Sequence, residues 1–306
     1  MNKDKINIVA IPNDSYVQHL AVTLQSLYSN TKSISDINMY ILDSGISNEN
    51  KNRLKSLASK FNTEFIFVPI ESDVLKYEDV PLSGHITKEA YYRIAIPEIF
   101  ASYSIHKVIY LDCDLLVLDD IEKMWNINID EKALGAVVDL GGEDRIIDLN
   151  IPDKSLYFNS GILIFNMDKW VEENISGKIM NYIKKNSDKL LLHDQDALNG
   201  VLYKDWYEIS PHWNFQTSML DYNILDDLKT KFDISKSNLG IVHFTGAIKP
   251  WHFNSLHPYK KLYFNYLSKT EWKDFKPEIN LQLIIKKYAV KFLPKKMVEL
   301  IRKNIS

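Results

Sequence analysis

The stretch Lys107–Asp119, KVIYLDCDLLVLD, decides how this chain folds. Two apolar runs flank the tripeptide Asp112-Cys113-Asp114, and a continuous apolar run is typical of a strand that is buried on both faces. Burying an unpaired carboxylate costs much free energy, so two acids at the end of such a strand serve something other than packing. Because alternate side chains of an extended backbone point to the same side, Asp112 and Asp114 face one way.

Two interpretations fit this acid pair. Carboxylate oxygens that are brought together suit Mg²⁺ or Mn²⁺ held jointly with the phosphates of a substrate. In the simpler alternative, the acids lie at a strand end and cap the helix that follows. The tripeptide alone is compatible with both, so the remaining segments decide between them.

Apolar runs and segments with helical spacing alternate along the first seventy residues. They predict strands and helices in the order Ile6–Ile11, Tyr16–Asn30, Asp36–Leu42, Asn48–Phe61 and Glu64–Val68. This alternation indicates an α/β fold with a mostly parallel central sheet that is covered by helices on both faces. Ligands bind such sheets at the carboxyl ends of the strands. The lack of a G-x-G-x-x-G after the first strand argues against a nicotinamide dinucleotide site.

Further elements are predicted on both sides of the central stretch. A helix at Thr87–Ile96 should end before the proline that follows it. Strands are predicted at Leu134–Val138 and Gly161–Phe165, each followed by a polar residue, Asp139 and Asn166.

Two later segments gather polar groups. The segment His193–Asn199, HDQDALN, opens a helix with more polar residues than an N-cap requires. The segment Ile241–His252 follows a strand pattern with His243 at its end, and then come Gly246 and Lys249. An imidazole there can complete a carboxylate metal site, and lysine and glycine amide groups can contact phosphate oxygens. Neither zinc-ligand spacing nor a G-x-S-x-G elbow occurs.

Composition bounds the class of protein. The 306 residues are 45% hydrophobic, with 17 Tyr, 13 Phe and 6 Trp, enough for one large domain with an appendage or for two domains. A single cysteine excludes an internal disulfide and suits a reducing compartment. With no apolar run of bilayer length and no signal-peptide core at the N-terminus, we expect a cytoplasmic protein. The body carries more acidic than basic side chains, so nucleic acid is not an expected partner.

Seven segments together resemble glycosyltransferase family 8, the retaining enzymes that include glycogenin and the bacterial lipooligosaccharide α-galactosyltransferases. The resemblance lies in their residues, order and spacing, and the bacterial branch is the more similar. The segments are Ile8–Tyr16 (IVAIPNDSY), Leu42–Ser47 (LDSGIS), His85–Arg93 (HITKEAYYR), Tyr110–Val117 (YLDCDLLV), Tyr157–Met167 (YFNSGILIFNM), His193–Gly200 (HDQDALNG) and His243–His252 (HFTGAIKPWH). The resemblance implies a GT-A type, Rossmann-like nucleotide-binding fold.

The resemblance also implies a metal site on the donor diphosphate. Asp112, Asp114 and His243 match the family's ligands for Mn²⁺, for which Mg²⁺ is a possible substitute. Lys249 and the Gly246 backbone match its phosphate contacts. The expected donor is a UDP-hexose, carrying galactose or glucose, and the expected acceptor is a glycan on lipopolysaccharide, a cell-surface polysaccharide or a glycoprotein, or a lipid-linked glycan.

The remaining site residues follow from the same resemblance. Donor-binding residues are also implied at Ile11, Asn13, Tyr16, Arg93 and Cys113, with Asn13 and Tyr16 at the uracil, Arg93 near the sugar and Cys113 contributing backbone. Relatives often carry Asp at the place of Asn13. Around the donor hexose the resemblance implies a pocket formed by Asp139, Asn159, Asp194 and Gln195.

Retention of anomeric configuration allows two reaction courses. A covalent glycosyl intermediate would use Gln195 or Asp194 as the nucleophile. In front-face attack, the leaving phosphate takes the acceptor's proton, and we favour this course because an amide is a poor nucleophile. Two other classes stay open: a metal-dependent nucleotidyltransferase or phosphohydrolase, which would release nucleoside monophosphate, and a non-catalytic sugar-nucleotide-binding module. The first leaves the HDQDALNG segment unexplained, and the second would be expected to lack an acid or His243.

The C-terminal segment has a different character. We divide the chain into a catalytic domain, residues 1–270, and a basic amphipathic tail, residues 271–306. Residues 281–306 carry seven basic side chains and one acidic side chain, with apolar residues at helical spacing on both sides of Pro294. The tail either packs on the body or lies on an anionic membrane surface, where each basic residue contributes about 1 kcal/mol. We favour a peripheral position on the inner face of the cell membrane, because bacterial relatives end similarly.

Overall fold

The computed structural model describes residues 5–70, 92–152, 156–235 and 238–279. Its strands are β1 (Ile6–Ala10), β2 (Ile37–Asp43), β3 (Phe65–Pro69), β4 (Lys107–Leu111), β5 (Leu115–Val117), β6 (Leu134–Val138), β7 (Phe158–Asn166), β8 (Trp206–Glu208), β9 (Phe215–Gln216) and β10 (Ile241–His243). Its α-helices are α1 (Val17–Asn30), α2 (Asn48–Ser59), α3 (Ile96–Ile99), α4 (Ile121–Trp125), α5 (Glu143–Asp148), α6 (Met167–Glu172), α7 (Ile175–Asn186), α8 (His193–Leu202), α9 (Tyr222–Phe232) and α10 (Lys260–Leu267).

Seven strands form the central sheet in the order β3-β2-β1-β4-β7-β6-β8. Strand β7 is antiparallel to both of its neighbours, β4 and β6, whereas the remaining pairs are parallel. The predicted α/β fold with a mostly parallel sheet is therefore confirmed. The carboxyl ends of β3, β2, β1, β4, β6 and β8 lie along one edge, because β4 and β6 are each antiparallel to the strand between them and the other pairs are parallel.

The central strand β4 is buried on both faces, as its apolar run predicts. Ile109 and Leu111 belong to the core cluster on one side of the sheet, and Val108 and Tyr110 to the cluster on the other. This division follows from the period of two along a strand, which sends successive side chains to opposite faces. An unbroken apolar run is the sequence that such a position requires.

A smaller sheet of order β5-β10-β9 lies beside the end of β4. Strand β10 is antiparallel to β5 and parallel to β9, and its register pairs His243 with Leu115. The pairing brings the last residue of β10 next to the acid pair, although the two segments are far apart in the chain. The second sheet therefore joins the two halves of the predicted metal site.

Two predicted element boundaries differ informatively from the structure. Of the helix predicted at Thr87–Ile96, residues 87–91 lie outside the described residues; residues 92–94 are helical, and Ala95 is in a turn. The helix thus ends two residues earlier than predicted, and Pro97 lies in the first turn of α3, where its missing N–H is tolerated. Strand β7 is longer than predicted and runs antiparallel. Its polar end, Asn166, therefore lies at the opposite sheet edge from Asp139, where Asn166 caps α6.

The predicted tail lies largely outside the described residues. Trp272 and Phe275 pack against the core of the body, and Glu271 pairs with Lys60 at 2.9 Å, so body contacts continue beyond residue 270. The division of the chain at that residue and the amphipathic helices of residues 281–306 stay predictions. Across the described ranges, we find no helix that combines the length and apolar character needed to cross a bilayer.

Candidate active site

Three predicted metal ligands converge where the two sheets meet. The Nε2 atom of His243 lies 3.4 Å from Oδ1 of Asp114 and 3.7 Å from Oδ2 of Asp112. One ligand atom from each residue lies within 4.8 Å of the others. Two carboxylate oxygens and one imidazole nitrogen suit Mn²⁺, because carboxylates favour hard divalent cations and imidazole favours transition metals. The three residues therefore fit the metal that the resemblance implies.

Basic side chains pair with both acids. Nζ of Lys249 lies 2.7 Å from Oδ2 of Asp114, and Nη2 of Arg93 lies 2.7 Å from Oδ1 of Asp112. Burial alone would raise the pKa of Asp114, but Lys249 and His243 hold it well below its ordinary value. Burial alone would lower the pKa of Lys249, and Asp114 raises it above the ordinary value. Both residues are therefore charged at neutral pH.

Arg93 lies between the metal ligands and the predicted sugar pocket. Its guanidinium is buried and contacts Asp112, Asp194, the Ser160 hydroxyl at 2.8 Å and the Tyr110 hydroxyl at 2.8 Å. Burial raises the pKa of Asp194, and Arg93 opposes that shift. The Arg93 guanidinium thus joins the two carboxylates that the sequence assigns to the metal and to the hexose.

The predicted hexose pocket is a hydrogen-bonded group at the start of β7. Oε1 of Gln195 accepts from the Ser160 N–H at 2.9 Å and from Nδ2 of Asn159 at 3.2 Å. Nε2 of Gln195 donates to Oδ2 of Asp139 at 3.0 Å. A strand end (Asp139), a strand start (Asn159) and a helix start (Gln195) therefore meet, with Arg93 linking Asp194 to them through Ser160.

The acid after Gln195 has a structural role. Asp196 is fully buried, and its carboxylate accepts from Arg145 at 2.8 Å, from the Tyr157 hydroxyl at 2.7 Å and from the Leu192 N–H at 2.7 Å. These bonds tie the start of α8 to α5 and β7. Among the polar residues of HDQDALN, Asp194 and Gln195 thus join the predicted hexose pocket, whereas Asp196 anchors the helix, as does Asn199 through the backbone of Phe158.

The predicted uracil residues follow β1. Oδ1 of Asn13 accepts from the Tyr16 N–H at 3.1 Å and from Ser15 Oγ at 2.7 Å, so this oxygen caps the short 3-10 helix. Tyr16 is half-buried and contacts the Trp251 ring edge to face. Ile11 is buried within an apolar cluster, so only its backbone is available to a ligand.

The loop after β10 is fixed against α1. Trp251 stacks on His19 with ring centroids 3.5 Å apart, and Nδ1 of His19 lies 2.7 Å from the Tyr263 hydroxyl. Gly246 and Lys249 lie in this loop between His243 and Trp251. The aromatic stack thus holds the loop that carries the predicted phosphate contacts.

Several residues that determine the geometry of the predicted metal site were not predicted from the sequence to do so. Gly161 packs so closely that a Cβ atom would lie 2.3 Å from Cε1 of His243 and 2.6 Å from Oδ2 of Asp112. Thr23 of α1 hydrogen-bonds the carbonyl of Cys113 at 2.9 Å and that of Leu115 at 3.0 Å, which fixes the turn between the two acids. The contribution of the Cys113 backbone to donor binding stays a prediction.

Asn214 is a further buried group that was missed. Its Oδ1 lies 3.0 Å from Nδ1 of His243, and its Nδ2 donates to Oδ1 of Asn159 at 2.9 Å. The available signal in the sequence was a lone amide between two aromatic residues, Trp213 and Phe215.

Fold and site together define an α/β protein in which an acid pair at a strand end lies beside a cluster of hydrogen-bonded polar side chains. Residues 7–255 match the sequence model described as Glycosyl transferase family 8. The chain belongs to this family and is a glycosyltransferase with a GT-A type fold.

Similar proteins come from several bacteria. The chain is 41% identical to General stress protein A of Bacillus subtilis over 92% of this chain and 100% of that protein. It is 26% identical to the lipopolysaccharide 1,3-galactosyltransferase of Salmonella typhimurium over 88% of this chain and 80% of that enzyme. The solved structure of the galactosyltransferase LgtC, in complex with donor and acceptor sugar analogs, has the same fold, with a TM-score of 0.73 at 24% identity over 92% of this chain and 100% of LgtC.

Proposed function

We propose that this glycosyltransferase moves a hexose, galactose or glucose, from a UDP-sugar to a glycan acceptor with retention of anomeric configuration and with Mn²⁺ as the cofactor. The observation that carries the proposal is the convergence of Asp112, Asp114 and His243 beside Lys249, next to a polar pocket that contains Gln195. The acceptor classes that suit the family resemblance are lipopolysaccharide, cell-surface polysaccharide, glycoprotein glycans and lipid-linked glycans.

The metal would be held by Oδ2 of Asp112, Oδ1 of Asp114 and Nε2 of His243. Oδ1 of Asp112 already accepts from Arg93 and from the Tyr110 hydroxyl at 2.6 Å. The second carboxylate oxygen, Oδ2, therefore faces the imidazole of His243. When bound, Mn²⁺ supplies Lewis-acid stabilisation of the charge that develops on the diphosphate, with Mg²⁺ as the substitute. Three protein ligands leave coordination positions for phosphate oxygens.

The diphosphate would also meet Lys249 and the Gly246 backbone. Nζ of Lys249 is 2.7 Å from Oδ2 of Asp114, so its ammonium group lies beside a proposed metal ligand and would contact a phosphate bound there. Beyond it, Tyr16 offers a ring to the uracil. Because Oδ1 of Asn13 already caps the backbone at Tyr16, the group that it offers to the base is the Nδ2 donor, which suits a uracil carbonyl.

The residues around the hexose favour front-face attack. The Asp194 carboxylate is paired with Arg93, and Oε1 of Gln195 is engaged by the Ser160 N–H. A carboxylate that is bound to a buried guanidinium is a weakened nucleophile, and an amide is a poor one. Both side chains can still stabilise positive charge on the sugar by their dipoles. In this course the departing phosphate accepts the acceptor's proton.

The test is incubation of the protein with Mn²⁺ and a panel of sugar nucleotides, followed by separation of the nucleotides. Release of UDP from one UDP-hexose, lost in Asp114→Asn, is the expected result. Release of UMP would instead indicate a nucleotidyltransferase or phosphohydrolase. Binding of UDP-hexose without turnover, with every acceptor class supplied, would indicate a binding module.

We further propose that residues 281–306 hold the enzyme on the inner face of the cell membrane, within the cytoplasm, near lipid-linked acceptors. The excess of six positive charges in this segment supports the proposal. Deletion of these residues should leave transfer to a small soluble acceptor intact and abolish co-sedimentation with anionic vesicles. Unfolding of the truncated protein, or failure of the full chain to sediment with such vesicles at low salt, would contradict it.

A further inference from the structure

Asn214 is a second side chain, besides Arg93, that contacts both a predicted metal ligand and the predicted sugar pocket. It follows the short 3-10 helix Pro211–Trp213 and precedes β9, which pairs with the strand that carries His243. Its side chain is fully buried. A buried amide has to be hydrogen-bonded, and both ends of this one are.

The orientation of the Asn214 amide is fixed from the backbone of β7. The Gly161 N–H donates to Oδ1 of Asn159 at 3.1 Å, so that atom is an acceptor. It is therefore Nδ2 of Asn214 that donates to the same Oδ1, at 2.9 Å. The opposite end of the Asn214 amide, Oδ1, consequently faces Nδ1 of His243 at 3.0 Å.

This order of donors and acceptors determines where the proton of His243 resides. Oδ1 of Asn214 can only accept, so Nδ1 of His243 carries the hydrogen. The lone pair of the neutral imidazole is then on Nε2, the atom that faces Asp112 and Asp114. Metal-binding histidines generally have the other ring nitrogen fixed by such a partner.

The same chain reaches the sugar pocket in the other direction. Nδ2 of Asn159 donates to Oε1 of Gln195 at 3.2 Å, and Oε1 also accepts from the Ser160 N–H. A displacement of Asn214 would therefore act on His243 at one end and on Asn159 and Gln195 at the other. In the proposed function, His243 serves the diphosphate of the donor through the metal, whereas Asn159 and Gln195 serve its hexose.

We propose that Asn214 is a positioning residue with two separable effects: it presents Nε2 of His243 to the metal, and it holds Asn159 against Gln195. The second effect rests on the whole proposed function, whereas the first rests only on its metal site. Its first effect concerns metal affinity and is measured without any sugar nucleotide.

Two variants separate these effects. Asn214→Leu has similar size but no acceptor, so Nδ1 of His243 loses its partner. Asn214→Asp keeps an acceptor for Nδ1 but turns a carboxylate oxygen toward Oδ1 of Asn159, where a donor is needed. The matched control is Asn199→Leu, which removes another fully buried asparagine that hydrogen-bonds the backbone of Phe158.

The experiment measures Mn²⁺ affinity by the loss of the free-ion electron paramagnetic resonance signal, for the full chain alone and with UDP. Asn214→Leu should weaken Mn²⁺ binding about 10- to 100-fold, the usual effect of losing a metal-ligand partner. Asn214→Asp should keep the wild-type Mn²⁺ affinity or exceed it, and should lower kcat for hexose transfer more than it changes KM. Asn199→Leu should leave Mn²⁺ affinity within about twofold, well below the loss expected for a ligand partner.

Unchanged Mn²⁺ affinity in Asn214→Leu, or an equal loss in Asn214→Asp, would overturn the inference. If Asn214→Leu fails to fold, the aspartate variant decides the matter, because weakened Mn²⁺ binding there contradicts the proposed acceptor role. If wild-type protein binds Mn²⁺ but neither UDP nor UDP-hexose, the proposed function fails, while the comparison of metal affinities still tests Asn214 and His243.

Discussion

The missing side chain of Gly161 leaves the space into which the imidazole of His243 packs. A Cβ atom at Gly161 would lie 2.3 Å from Cε1 of His243, a separation that atoms in folded proteins do not adopt. The same atom would lie 2.6 Å from Oδ2 of Asp112. The absence of a side chain at Gly161 of β7 thus allows these two proposed metal ligands to lie close together.

Gly161→Ala should therefore displace the metal ligands. We expect Mn²⁺ affinity and transfer to fall at least about tenfold, with a loss of about 1–3 kcal/mol in the free energy of unfolding from overpacking. Isothermal titration with Mn²⁺ and urea unfolding are the measurements. Gly141→Ala is the control, because its added Cβ would meet Asp139 at an ordinary 3.5 Å. Wild-type Mn²⁺ affinity in Gly161→Ala would contradict the assignment of His243 and Asp112 as ligands.

Removing Lys249 should have opposite effects on the metal and on the nucleotide. The ammonium group pairs with Asp114 at 2.7 Å and competes there with an incoming cation. Lys249→Met should therefore strengthen Mn²⁺ binding to the nucleotide-free protein and weaken UDP binding. Calorimetric titrations with each ligand measure both. Lys249→Arg keeps the charge and should bind Mn²⁺ as the wild type does. Unchanged UDP affinity in Lys249→Met would argue against a contact between Lys249 and the phosphates.

Stability should fall between pH 7 and pH 5 because of His19. Burial lowers the pKa of His19 from 6.5 to about 3, so below pH 6.5 the unfolded chain binds a proton that the folded protein does not. The imidazole then reduces the free energy of unfolding by about 2 kcal/mol at pH 5 relative to pH 7, and the loss continues until the pH approaches the folded-state pKa.

Urea unfolding of the wild type and His19→Phe at the two pH values measures this effect. The phenylalanine variant should lose less stability on acidification than the wild type by that amount. Tyr263→Phe removes the hydroxyl that contacts His19 but keeps the imidazole, so its pH dependence should persist. Equal slopes in the wild type and His19→Phe would show that the imidazole is protonated in the folded protein.

The two acids that pair with Arg145, Asp196 of α8 and Asp148 of α5, should differ in how much they stabilise the fold. Asp196→Asn removes the charge that faces the buried guanidinium of Arg145, which should cost about 3–5 kcal/mol in the free energy of unfolding. Asp148→Asn removes the other acid that pairs with Arg145, but this side chain is 54% exposed, and the loss should stay below about 1 kcal/mol. Chemical denaturation compares the two, and similar losses would mean that Asp196 does not anchor the helix.

Local pattern was enough to find the acids and His243 in the sequence. Each is a polar residue at the end of an apolar run, and the expense of burying charge makes such residues conspicuous. Asn214 was not found because its significance depends on the pairing of β9, a strand of two residues, with β10. Pairing between distant segments leaves no periodic signal in either one.

The direction of β7 also could not be predicted from the sequence. Its apolar pattern is the same whether the strand is parallel or antiparallel, so the sequence predicts only that Asn166 and Asp139 each follow a strand. The structure places them at opposite edges of the sheet. Because the strand is antiparallel, its beginning and not its end reaches the site, and Asn159 and Gly161 take the positions there. The alternation of strands and helices predicts the α/β fold and the family resemblance implies its GT-A type, whereas the direction of β7 depends on tertiary packing.

The hydrogen bond from Thr23 to the carbonyl of Cys113 joins residues that are 90 positions apart, and His243 enters the same centre from 131 positions beyond Asp112. Contacts of such long sequence separation close large loops and are slow to form. During refolding, local helices should therefore recover well before the chain can retain a divalent cation. Binding of the cation would then report on the last stage of folding, because it requires α1, the start of β7 and β10 all to be packed around the acid pair.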